Sequence, residues 1–172
     1  MDHYPISSLL NEKAIPFDAP INVDAIASRY GIKVISTPLQ GKVGEITFNS
    51  DGSSVIKMDP FENSYEPRRR FTLAHELGHF FLHRVPNYAY EDTKETMLDR
   101  KNTYWDGKEG EANSFAAQLL MPEKLIERYG TQIISADNNI SLDDFVNRMS
   151  TIFNVSKQSM RFRLSGLGII KI

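Results

Sequence analysis

Three of the chain's four histidines fall within the stretch RRRFTLAHELGHFFLH at positions 68–83. Two of them, His75 and His79, bracket Glu76 in the order His-Glu-Leu-Gly-His. Residues four apart on a helix are turned by only ~40° and displaced by ~6 Å along the axis, so the two imidazoles can converge on one ion. Glu76 is one position round from His75, within reach of a water polarised by that ion without being a ligand itself. A zinc ion lowers the pKa of such a water towards ~7. A carboxylate that takes the proton and passes it to a leaving amine is a general base, then a general acid. The flanking Thr72, Leu73, Ala74, Leu77, Gly78, Phe80 and Phe81 are uncharged, as expected of a helix buried under a metal site. Two half-buried histidines on an amphipathic helix are the weaker reading.

The chain has no cysteine, so a metal must be held by His, Asp or Glu. His83 continues the four-residue series, but it lies ~12 Å along a straight helix from His75, too far to share a tetrahedral ion. It reads as a supporting or packing residue, and His3 as a surface one. A third ligand is sought in the later helix EGEANSFAAQLLMP, residues 109–122. There Ala112, Phe115, Ala116, Leu119 and Leu120 form a packing face, and small residues at 112, 116 and 117 permit close approach to the first helix. Glu109 and Glu111 compete for the role. Glu111 adjoins the apolar face and is favoured.

These two blocks, in this order and at this separation, resemble the ImmA/IrrE family of zinc metallopeptidases over roughly residues 22–165. The resemblance implies that His75 and His79 bind zinc, that Glu111, immediately before Ala-Asn, is the third ligand, and that Glu76 is the general base. It also implies a substrate: a helix-turn-helix repressor, cut at a limited site to release transcription in phage, mobile-element or stress regulation.

The elements that must position these residues read as α+β, a zincin-like fold with a small antiparallel sheet. Residues 1–20, with three prolines, read as an irregular lead-in, and NVDAIASRYG as a helix ended by Gly31. IKVISTPL, VGEITFN and SSVIKMD are short, β-branched strands, the last two joined by the turn NSDGSS. The helical period then runs from about Glu66 to Arg84, with Pro67 in its first turn. Residues 85–108 read as a long polar loop, whose Tyr88, Tyr90, Tyr104 and Trp105 are candidates to line a cleft or donate to an oxyanion. The arginines 68–70 sit where a helix dipole disfavours cations and call for carboxylate partners elsewhere. A metallopeptidase core is expected over 1–135, followed by a helical, helix-turn-helix-like segment over 136–172. That segment carries Arg148, Lys157, Arg161, Arg163 and Lys171 with no acid from residue 148 on. Docking of a repressor is favoured there over direct contact with DNA.

With 172 residues, 41% of them hydrophobic and 24% charged, the chain suits one compact domain. Its net charge of −2 gives no reason for non-specific binding to nucleic acid or membrane. No apolar run approaches the ~18 residues that span a bilayer, and the N-terminus lacks a signal-peptide pattern, so the cytoplasm is the expected address. The expectation is a zinc endopeptidase, with manganese as the alternative ion. The competing class is a metal-stabilised regulatory or toxin-like partner that binds a repressor, an antitoxin or DNA without cutting. Oligomeric state is left open.

Overall fold

The computed structural model describes residues 4–93 and 107–171. Two compact units divide the chain: residues 22–116, and residues 1–21 with 117–172. Seven helices and a four-stranded sheet are formed among the described residues, an α+β architecture.

The unit over 22–116 opens with a helix at Val23–Arg29 whose N-cap Asn22 accepts from the Ala25 amide. Numbered in chain order, this is α2, since residues Ile6–Glu12 of the expected irregular lead-in form a short helix, α1. Ile6 and Leu10, four apart, give that segment a buried stripe. After α2 come strands β1 (Lys33–Ser36), β2 (Lys42–Phe48) and β3 (Ser54–Met58), then the long helix α3 (Glu66–Leu82). A fourth strand, β4 (Tyr88–Thr93), lies within the stretch expected to be loop, and α4 (Gly107–Leu120) follows.

The sheet order is β1-β3-β2-β4. The expected β2–β3 hairpin is antiparallel with Ile46 opposite Ile56, and its turn closes with Gly52 at φ +85°, where a side chain would be strained. β1 instead pairs parallel to β3, so the sheet is mixed rather than purely antiparallel. The connection from β1 to β2 leaves a slot between them, which β3 fills. Such a long-range pairing leaves no mark in local sequence.

A polar network ties the sheet to α3. Asp59 accepts from the amides of Leu39, Phe61 and Glu62. Asn63 donates to the Val43 carbonyl on β2 at 2.8 Å and accepts from the Thr72 hydroxyl on α3 at 2.7 Å. The side chains of Asp59, Asn63 and Thr72 are buried, and satisfied buried polar groups fix one geometry where unsatisfied ones would cost stability. Of the three arginines at the start of α3, Arg69 holds Asp24 through both carboxylate oxygens at 2.6 and 3.1 Å, and Arg68 approaches Glu62 at 4.0 Å. Ile26, Ile46, Phe48, Ile56, Leu73, Leu77 and Phe115 make the dry core of this unit.

The second unit includes α1, α5 (Glu123–Ala136), α6 (Leu142–Phe153) and α7 (Lys157–Gly166). The helix-turn-helix-like pair is α6 and α7. Ser141 and Ser156 cap them by accepting from the amides of Asp144 and Ser159, and Asn154 makes the turn at φ +50°. Met149, Phe153, Met160 and Leu164 are buried in this unit. Its basic residues are largely engaged: Arg161 with Asp143, Arg148 with Asp137 at 3.8 Å, and Arg163 with the Met121 carbonyl at 3.0 Å. No described helix is long and apolar enough to cross a membrane.

Candidate metal centre

The site is built within residues 22–116, on α3, β4 and the start of α4. His75, Glu76 and His79 are fully buried in the middle of α3, and the helix carries them because its apolar face lies on the sheet. α4 comes close to α3 at one point, where Gly78 faces Ala112. A β-carbon on Gly78 would stand 2.9 Å from the Ala112 α-carbon, so only glycine permits this approach. That contact sets the register of α4 and with it the choice between its two glutamates.

The hydrogen bonds around the imidazoles fix their tautomers. His75 Nδ1 faces the Asn113 side-chain oxygen at 3.0 Å, so it carries a proton and donates. His83 Nε2 donates to Glu111 at 2.8 Å, which leaves His83 Nδ1 to accept from His79 Nδ1 at 3.0 Å. Both Nδ1 atoms are thereby committed, and the Nε2 atoms of His75 and His79 face each other at 3.1 Å. Tyr90 on β4 stacks on the His79 ring, with centroids 4.3 Å apart and planes 15° apart, and donates its hydroxyl to the His83 carbonyl at 3.1 Å.

Carboxylates converge on the same point. Glu109 reaches His75 Nε2 at 3.2 Å and His79 Nε2 at 3.3 Å, and Asp92 Oδ2 lies 3.2 Å from His75 Nε2 and 4.0 Å from His79 Nε2. One donor atom from each of His75, His79, Asp92 and Glu109 lies within 4.8 Å of the others. Ligands ~2.0–2.1 Å from a zinc ion stand ~3.3 Å apart along a tetrahedron's edges, close to most of these separations. Both oxygens of Glu76, both of Asp92 and one of Glu109 are buried without a hydrogen-bond partner among the described residues. Five such carboxylate oxygens around two Nε2 atoms that face each other is an arrangement that a divalent cation satisfies.

The electrostatics agree. Burial pushes the His75 imidazolium down, but the Asp92 and Glu109 carboxylates outweigh it and raise it to about 9. Burial first, then the charges of Asp92 and Glu109, pushes Glu76 well above the usual carboxylate range. Glu109 is pushed up by burial but held below that range by the two imidazoles. The cluster demands positive charge, which a proton on His75 supplies in part and a bound cation would supply more fully.

Of the residues expected at the site, His75, Glu76 and His79 are brought together. Glu111 is not: its side chain is 60% exposed and pairs with His83. Two positions along a helix are about 200° of rotation, so α4 can turn only one of its glutamates toward the imidazoles, and it turns Glu109. Asp92 was not foreseen. Its signal is faint: on β4, Tyr90 and Asp92 alternate inward in a polar stretch otherwise typical of a loop. Tyr88 is exposed, while Tyr104, Trp105 and His3 lie outside the described residues.

Comparison with known proteins bears on this geometry. "Uncharacterized immunity region protein 2" of Bacillus phage phi105 is 34% identical over 76 residues, 44% of this chain and 44% of that protein, so the match spans less than half of the relative's length. A family model for peptidases, described as the IrrE N-terminal-like domain, matches residues 27–165 and takes in α3, β4 and α4 with all four donors. The chain belongs to the IrrE N-terminal-like domain family, in which a metallopeptidase-like activity is the general expectation.

Proposed function

We propose that the chain is a zinc-dependent endopeptidase of the cytoplasm that makes a limited cut in a helix-turn-helix repressor. The observation that carries the reading is the buried donor set with Glu76 beside it, both carboxylate oxygens unpartnered among the described residues. The Nε2 atoms of His75 and His79 and the carboxylate of Glu109 would hold the ion. Zinc bound there supplies Lewis acidity toward a peptide carbonyl and toward water.

The chain's own residues do the rest. Asn113 and the His83–Glu111 pair hold the two imidazoles with their Nε2 atoms inward, as partners of metal-binding histidines commonly do. Glu76 is buried and lies against β2 at Gly44, and takes up and returns a proton at its carboxylate.

The repressor as substrate draws support from the phage relative, whose name places that protein in an immunity region. The engaged arginines of α6 and α7 favour docking of a protein there over contact with DNA. A binder that does not cut is the competing reading, and the presence of a fourth protein donor, Asp92, is what favours it. A stoichiometric excess of repressor separates the two. The wild type, loaded with zinc or manganese, should convert all of it to fragments, and Glu76→Gln should keep its metal and lose turnover by about 10²–10⁴-fold. Full activity in Glu76→Gln would remove the assigned role.

A further inference from the structure

Asp92 is the donor that the established pattern of the two helices does not require. Its side chain is 1% exposed, neither carboxylate oxygen has a hydrogen-bond partner among the described residues, and Oδ2 points at His75 Nε2 from 3.2 Å. A carboxylate left in that condition is costly unless something positive sits beside it. The backbone is shaped to put it there. On β2 and β4, Lys42 pairs with Thr93 and Gly44 with Asp92, so Val43 is an extra residue and the ladder bulges next to Asp92. Bulges turn a side chain out of the regular alternation and recur beside active sites. The residue opposite Asp92 is Gly44, the one position on β2 where the absence of a side chain leaves room for Glu76.

The geometry points to Asp92 as a fourth protein ligand that closes the metal centre of the resting chain, an inference that rests on the metal reading above. Zinc sites with four protein ligands are closed and structural, whereas catalytic sites keep one position open. With His75, His79, Glu109 and Asp92 all engaged, the centre has no place for solvent or a peptide carbonyl, and the resting form is latent. Hydrolysis requires Asp92 to withdraw. Among the described residues β4 pairs with β2 alone, so a substrate segment adding to its other edge acts on the strand that carries Asp92.

The test uses the full chain loaded with Co²⁺, whose visible absorption reports its ligands, and azide as a small anion that enters an open position. The wild-type spectrum should be unchanged by azide, and this arm needs no variant. Asp92→Asn, nearly isosteric and checked for folding by circular dichroism, should bind Co²⁺ at least about tenfold more weakly. Its spectrum should shift with azide. A wild-type spectrum that shifts with azide, or an Asp92→Asn chain with wild-type Co²⁺ affinity, overturns the closure. His75→Ala separates the two levels of the argument. If it loses Co²⁺ while Asp92→Asn does not weaken, only the closure fails. If His75→Ala binds Co²⁺ as the wild type does, the metal centre itself is wrong and the closure falls with it.

Discussion

The carboxylate of Glu76 occupies the space that a side chain on Gly44 would fill. A β-carbon at Gly44 would collide with Oε1 of Glu76 and stand 2.8 Å from Cγ2 of Thr72. Thr72 is itself fixed by its hydrogen bond to Asn63, so it cannot give way without breaking a buried network. Gly44→Ala should therefore move Glu76 and leave the imidazoles in place. Metal content should stay at the wild-type level while turnover falls by about 10²-fold or more, the range of a displaced general base. Metal per chain and kcat measured on the same preparation decide it. Unchanged turnover would mean that Gly44 does not set the position of Glu76.

Gly78 makes the opposite kind of prediction, one about stability. In an open helix, Gly→Ala stabilises by about 1 kcal/mol through helix propensity. Here the new methyl would meet the Ala112 backbone at 2.9 and 3.1 Å, and backbone cannot turn aside as a side chain can. Overpacking of this kind costs about 1–3 kcal/mol. Gly78→Ala should thus lower the urea midpoint of the metal-free chain, and a raised midpoint would show that α4 does not press on α3 as described.

These two glycines also explain what was and was not legible in the sequence. α3 announced itself through a helical period, Pro67 and the His-Glu-x-x-His spacing, because all of that information is local. The third donor was not local. It depends on how α4 is rotated against α3, which the Gly78–Ala112 contact sets. The packing face of α4 held a usable signal nonetheless: Ala112, carried back three residues, reaches Glu109 and not Glu111. Asp92 was hidden for another reason. β4 shows little apolar alternation, because its inward residues Tyr90 and Asp92 face imidazoles instead of an aliphatic core. A strand lining a polar site resembles a loop to any reading based on hydrophobic period. The parallel β1–β3 pairing joins residues some twenty apart and left no local trace.

The raised His75 value fixes the sign of a pH effect. A histidine held at about 9 in the folded chain and near 6.5 when unfolded stabilises the metal-free fold fully below pH 6.5. That contribution is lost as pH rises through about 9. Glu76 acts in the same direction, since a carboxyl raised on folding destabilises once the unfolded form ionises. The melting temperature of the metal-free chain should therefore fall between pH 6.5 and 9. Metal binding must displace the His75 proton, so affinity for zinc should rise over the same window. A metal-free melting temperature that is flat or rising there would mean that the carboxylates do not act on His75 as described.

The two glutamates of α4 offer the sharpest contrast. Glu109 lies 3.2 and 3.3 Å from the two Nε2 atoms that face the ion's position, and Glu111 reaches them only through His83 and His79. On the proposed reading Glu109→Ala removes a ligand, and bound zinc should fall from about one per chain to near zero after dialysis without chelator. Glu111→Ala removes the acceptor that holds the His83 proton. Because Glu111 is 60% exposed, water can replace it in part, so affinity should weaken by about tenfold, the lower end for a residue that acts through a ligand. Metal analysis of the two variants beside the wild type reads both effects. The reverse pattern, zinc lost with Glu111→Ala and kept with Glu109→Ala, would mean that α4 is turned by half a revolution from the position described, and the Gly78–Ala112 contact would have to be redrawn with it.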